Sequence, residues 1–397
     1  MTIMLEDSLR EMLAARVETP PVADDIATRV IRQGRVSRRR RTTAGLVAVS
    51  TALVLVVGGV VSLGGGWLSG NRGATSVAGF TADSVEPDLS APAGTATPGA
   101  DTGIGLDIRS GDQLWTTDGR RLTLGGVGEV TRVYRVPAGW VYAGVEKVRF
   151  LRTDGSSLSL SGEHGRWVLS PDGERFAFQL GTTLYLARLT SNGMAVLADA
   201  PVPDGSWPVA LSGDQAVISE GGRGYAVVDL AKPTSPVPNA KVTAVYGMRG
   251  KNLLGLVAGA DAGTHCLASL TEAAGRLTPV QDGSCDFGTN GSAPRARLEV
   301  AGDGLAPDGG WLATRRGSTV VVINVGQALD GRTVPVDCQA EALVDPVWAD
   351  SRTVVTGNDR SVVRCATDGT GQSIPLPEGV EENWQLVPRL MNGPVGQ

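Results

Sequence analysis

Histidine is nearly absent from this 397-residue chain, at two residues (His164 and His265), and lysine is scarce, at four against 32 arginines. A hydrolase built on a histidine base or a histidine-rich metal site therefore has almost no material to work with. His164 lies in the loop SGEHGRW and His265 in an expected strand, and both read as ordinary structural residues. No GxSxG elbow, CxxC pair or DxDxDG loop occurs, so nucleophile-elbow, zinc-ribbon and dense calcium-loop chemistry lack their signatures. Basic excess is missing as well. The net charge of −5 and pI near 5.3 speak against a nucleic-acid partner, which needs a basic footprint on the phosphates. Cysteine is confined to four late positions, Cys266, Cys285, Cys338 and Cys365.

What is present begins with one long apolar run. From Ala44 to Leu63 the sequence AGLVAVSTALVLVVGGVVSL carries no charge, and at about 1.5 Å per residue it spans roughly 30 Å, the depth of a bilayer core. Residues 44–63 are expected to form a transmembrane helix, with membrane lipid as a partner. Its N-terminal flank holds Arg35, Arg38, Arg39, Arg40 and Arg41 as a basic cluster, whereas the first stretch beyond the helix holds only Arg72. The positive-inside rule then places residues 1–43 in the cytoplasm and the rest outside the cytoplasmic membrane. The long leader and long apolar run disfavour a cleaved signal peptide.

Beyond the run, residues 64–103, rich in Gly, Ala, Thr, Pro and Ser, read as a flexible linker. The four cysteines fall on the outer side, where disulfides are the default. Three connectivities are possible. The favoured one joins nearest neighbours along the chain, Cys266 with Cys285 and Cys338 with Cys365.

The rest of the chain is repetitive. SPDGERFAF (170–178) returns as APDGGWLAT (306–314), and Asp-Gly between apolar runs is a hairpin signal because Gly accepts the positive φ of a tight turn. Six segments align on this phrase, starting at 134, 169, 210, 246, 305 and 347, with separations of 35, 41, 36, 59 and 42 residues. Between them runs a second kind of hairpin, turning at Asp118-Gly119, Asp154-Gly155, Asn192-Gly193 and Asp368-Gly369. Two hairpins per unit at a period near 40 give four antiparallel strands per unit, the pattern of a β-propeller blade. The expected class is all-β, a propeller of about seven four-stranded blades over residues 104–390, with 391–397 a tail. Only six first hairpins can be counted. The missing strand is expected from ENWQLVPRL (382–390), pairing the two chain ends in one blade. The 59-residue interval is either one blade with long loops or a partial eighth. A sandwich pair is the lesser all-β alternative.

These phrases resemble the Tol-type and WD-like propeller repeats of bacteria, a resemblance carried by Ser170–Gly173 and Ala306–Gly309 without the WD dipeptide. It implies a fold and no particular activity. The Arg, Ala, Gly and Val bias looks like that of a GC-rich, actinobacterial genome.

At the other end, LEDSLREMLAARV (5–17) sets Leu5, Leu9, Met12, Leu13 and Val17 on one helical face before Pro20 and Pro21. A short amphipathic helix without its own core wants a partner. The plan of helix, proline break, Arg cluster, membrane helix and outer domain resembles transmembrane anti-sigma factors and other actinobacterial membrane proteins associated with sigma factors. The zinc-type HxxxCxxC motif of that group is missing, since residues 1–65 contain neither His nor Cys. The sequence thus points to a non-catalytic binding module without cofactor. A ligand or protein would sit at the propeller rim and a cytoplasmic protein, such as a sigma factor, on the N-terminal helix. An envelope scaffold is the second reading, and an extracytoplasmic enzyme the third.

Overall fold

The computed structural model describes residues 101–390 other than 146, 162–165, 191–192, 262, 286, 289–297, 342–343, 359 and 382. The N-terminal segment with Leu5, Leu9, Met12, Leu13 and Val17, the cluster Arg35, Arg38, Arg39, Arg40 and Arg41, the run 44–63 and the tail 391–397 lie outside the described residues, as do His164 and Asn192. Among the described residues no helix is long and apolar enough to cross a membrane.

Within those residues the chain runs through seven antiparallel meanders. The first is β1 (Asp107–Ser110), β2 (Gln113–Trp115) and β3 (Arg121–Thr123), and the second β4 (Val130–Val136), β5 (Gly139–Gly144), β6 (Val148–Arg152) and β7 (Ser157–Ser161). The third is β8 (Trp167–Leu169), β9 (Arg175–Leu180), β10 (Thr183–Thr190) and β11 (Gly193–Pro201). The fourth has three strands, β12 (Trp207–Ser212), β13 (Gln215–Ser219) and β14 (Tyr225–Asp229). The fifth is β15 (Val242–Arg249), β16 (Asn252–Ala258), β17 (His265–Ala273) and β18 (Arg276–Asp282), and the short β19 (Phe287–Gly288) leads on from it. The sixth is β20 (Leu298–Leu305), β21 (Trp311–Arg316), β22 (Thr319–Asn324) and β23 (Pro335–Glu341). The seventh is β24 (Val344–Trp348), β25 (Thr353–Gly357), β26 (Ser361–Ala366) and β27 (Gly371–Pro375). The last strand, β28 (Gln385–Val387), returns to pair with β1 and completes the first sheet as β28-β1-β2-β3.

Packing shows that the sheets form a ring. Seven apolar cores occur among the described residues, and each lies between consecutive sheets rather than inside one. Ile108, Trp115 and Leu386 of the first sheet meet Val347, Val355 and Val362 of the seventh, which closes the circle. Each blade is thus covered on both faces, so its middle strands cannot alternate between core and water. All six residues of β5 are buried. The architecture is an all-β propeller.

The repeated phrase makes the turn between the two innermost strands of a blade. Gly173 N–H donates to Ser170 O at 2.8 Å and Gly309 N–H to Ala306 O at 2.8 Å, with φ of 68° and 70° at the glycines. A Cβ on Gly173 would come within 3.0 Å of Val136 and Pro137, and one on Gly309 within 3.0 Å of Arg249 and Met248. Each SPDG-type turn therefore nests against the equivalent turn of the preceding blade. The aspartates are consumed locally. Asp172, Asp308, Asp154 and Asp368 each accept the backbone N–H two residues on, at 2.8–3.0 Å.

Among the described residues the 59-residue interval holds one four-stranded meander and no further one, and the β14–β18 and β19–β20 pairings join the fourth, fifth and sixth meanders into one 12-stranded sheet. Two features depart from the expected pattern. The fourth blade lacks a fourth strand of its own, because the segment that would supply it, AKPTSPVPNA (231–240), has three prolines and so too few N–H donors for a ladder. Asn239 bridges Tyr225 instead, and the tip of the β17–β18 hairpin reaches across so that Arg276 pairs with Ala226. The connection from β22 to β23 also contains a one-turn helix, α1 (Val325–Leu329), capped by Asn324, whose side chain accepts from Gln327 N–H.

The disulfides are Cys266–Cys285 and Cys338–Cys365. The first ties β17 to the segment after β18. The second joins β23 of the sixth blade to β26 of the seventh.

Candidate binding channel

A cavity of about 1270 Å³ is lined by residues from the innermost strand of every blade, β28, β4, β8, β12, β15, β20 and β24. It is the central channel of the ring. Inner strands twist strongly near the axis, and bulges accommodate that twist. Single extra residues interrupt β4, β12 and β24, and β15 carries two such shifts.

β20 departs furthest from a regular ladder. Val300 pairs with Thr314 and Leu305 with Leu312, so three extra residues loop out on the β20 side. The loop is Ala301-Gly302-Asp303-Gly304, and it carries Asp303 into the channel lining. The buried indole of Trp348, on β24, donates from Nε1 to Gly304 O at 2.7 Å and pins the bulge. A bulge held this way re-aims one side chain at a fixed place.

Asp303 is reached by solvent through the channel yet surrounded by protein. Burial pushes its carboxyl pKa up, Arg132 opposes the shift and Asp345 adds to it. Tyr134 is raised too, first by burial and then by the Asp303 charge. Across the channel Arg132 and Tyr134 stand on β4, flanking Trp167 of β8. The Arg132 guanidinium lies 5.3 Å from the Trp167 ring centre, and Tyr134 meets that ring edge-on at 5.8 Å. Arg315 and Asp345 form an ion pair at 3.1 Å between the sixth and seventh blades. Trp207, 40% exposed, lines the same cavity from β12.

The residues singled out in the sequence lie elsewhere. The two disulfides stand among the outer strands, and His265 pairs through Nδ1 with the Thr243 hydroxyl at 2.9 Å. Among the described residues no three His, Cys, Asp or Glu side chains are grouped to hold a metal ion. Ser170, beside Asp172, accepts the Arg175 N–H at 2.9 Å and belongs to its turn. Asp303, Arg132 and Tyr134 were not foreseen. Their one sequence signal is the glycine-flanked acid in AGDG, directly before LAPDGG.

No family model matches the chain, and no curated protein does. Solved structures share its outline at low identity. A functionally unknown protein from Desulfotomaculum acetoxidans is 12% identical with a TM-score of 0.45, over 72% of this chain and 99% of that one. Apo AztD from Citrobacter koseri is 13% identical with a TM-score of 0.44, over 72% and 83%. BamB from Moraxella catarrhalis is 14% identical with a TM-score of 0.36, over 63% and 76%. Similarity at this level assigns no activity to the chain.

Proposed function

We propose that the protein is a single-pass membrane protein whose propeller, outside the cytoplasmic membrane, binds a ligand in its central channel without transforming it. The N-terminal helix would relay that state to a cytoplasmic protein, of which a sigma factor is the expected kind. The observation that carries the binding reading is Asp303. A three-residue bulge, two flanking glycines and a tryptophan hydrogen bond hold one carboxyl group in the channel lining, within the field of Arg132. A carboxyl group aimed into a cavity by a dedicated bulge is placed to meet a bound partner. The charge asymmetry around residues 44–63 supports the membrane placement, and the two disulfides suit an oxidising compartment.

Crosslinking in native membranes, comparing the full chain with one lacking residues 1–20, tests the relay. A cytoplasmic protein captured only by the full chain supports it. If both forms recover the same envelope proteins and nothing cytoplasmic, the N-terminus is an anchor and the protein an envelope scaffold. Turnover of a captured ligand, lost in an Asp303→Asn variant, would make it an enzyme instead.

A further inference from the structure

The channel presents two opposite charges that do not satisfy each other. Arg132 and Asp303 are close enough for each to feel the other's field, yet they make no ion pair, and Asp303 accepts no hydrogen bond from any described residue. Arg132 is held on the face of Trp167, which fixes its guanidinium without occupying its N–H donors. Asp303 is held by the bulge. The neighbouring Arg315 is already engaged, with Asp345. Two rigidly placed groups of opposite sign with solvent between them are complementary to a molecule carrying both charges in the reverse order.

Resting on the reading of the channel as a binding site, we infer that its ligand is a small zwitterion, an amino acid or short peptide, whose amino group meets Asp303 and whose carboxylate meets Arg132. Guanidinium and carboxylate suit a bidentate, charge-assisted pair. The ammonium group would be held by the Asp303 carboxylate. The cavity of about 1270 Å³ exceeds what one amino acid fills and leaves room for a peptide of a few residues.

Proton linkage gives an independent signature. The groups facing Asp303 are Arg132 and Tyr134 from β4 and Asp345 from β24, and in the empty channel burial outweighs Arg132. An ammonium ion at contact lowers the carboxyl pKa again, so binding releases protons at pH values between the free and bound pKa. A ligand without a positively charged group would not do this.

The test is calorimetric titration of the full-length protein with alanine, dialanine and trialanine in both enantiomers, each free, N-acetylated and C-amidated, in buffers of different ionisation enthalpy. At least one free form is expected to bind with proton release, and capping either end should weaken it at least tenfold. Asp303→Asn should abolish the effect of N-acetylation, and Arg132→Gln that of amidation. Failure of every free form to bind, or equal binding of capped and free forms, overturns the zwitterion. The capped series reads the outcome even if a variant misfolds. Loss of this inference with retention of a photo-crosslink from Trp207 in native membranes would leave the channel a binding site for another ligand class, whereas loss of both would remove the channel reading itself.

Discussion

Arg109 and Gln385 face each other in the ladder that joins the first strand of the propeller to the last. The chain ends are thus fastened by hydrogen bonds and by the apolar contacts of Trp384, Leu386 and Val387, all buried. A second clasp follows, in which Arg135 N–H donates to Pro388 O at 2.8 Å and Leu390 N–H to Arg135 O at 2.9 Å.

Truncation after Asn383 should therefore abolish cooperative folding. Burying each large apolar side chain contributes about 1.5–3 kcal/mol, and losing three of them is comparable with a whole domain stability of about 5–15 kcal/mol. Leu386→Ala alone should destabilise by about 2–5 kcal/mol. Urea unfolding followed by tryptophan fluorescence reads both.

Gly173 and Gly181 both have positive φ, 68° and 58°, but only a Cβ on Gly173 meets the neighbouring blade. Gly181→Ala should cost about 1 kcal/mol for the left-handed backbone alone. Gly173→Ala should cost more, since Val136 and Pro137 must shift. Equal losses in urea midpoint would show that the SPDG turns do not set blade spacing.

Reduction should weaken the protein unevenly. Closing loops of 19 and 27 residues contributes about 3 kcal/mol each in the chain-entropy model. Only Cys338–Cys365 also crosses between blades. Thermal unfolding of the Cys338→Ala/Cys365→Ala double variant should fall below that of the Cys266→Ala/Cys285→Ala variant, and a reductant should bring the intact protein below both.

Asp303 titrates at higher pH in the folded chain than in the unfolded one, where a free aspartate has a pKa of about 3.9. Folding takes up a proton between those values, so this group's contribution is full at low pH and is lost as pH rises through the folded pKa. Asp303→Asn should be more stable than the natural protein at neutral pH, with the gain shrinking towards pH ~4. The turn aspartates work the other way. Asp154 is lowered by the Ser156 hydroxyl and N–H, and Asp368 by the Thr370 N–H, so their contribution fades as pH falls. Urea midpoints of both proteins across pH check the crossing trend.

The blade pattern was legible because it lives in local chemistry. Asp-Gly turns announce themselves in SPDG and TDG, and the strand ending in QLV was expected because six first hairpins leave one blade short. Nearest-neighbour pairing of the cysteines likewise follows chain order. The channel was not legible, for a physical reason. Arg132, Asp303 and Asp345 lie on three different blades and converge only when the ring closes, so no spacing along the chain relates them. The fourth blade shows the same limit in reverse. Pro233, Pro236 and Pro238 explain why its outer strand is missing, but nothing local says that the fifth blade's hairpin would cover the gap.

The channel can be tested directly with a photo-crosslinking residue placed at Trp207, 40% exposed on the channel wall, and separately at Leu197, 44% exposed on the outer strand β11, each irradiated in native membranes and read by mass spectrometry. A discrete adduct from position 207, absent from position 197 and lost in the Asp303→Asn background, is the predicted result. Adducts from position 197 alone would contradict a ligand seated in the channel, and adducts from 207 regardless of Asp303 would contradict its dependence on that carboxyl group.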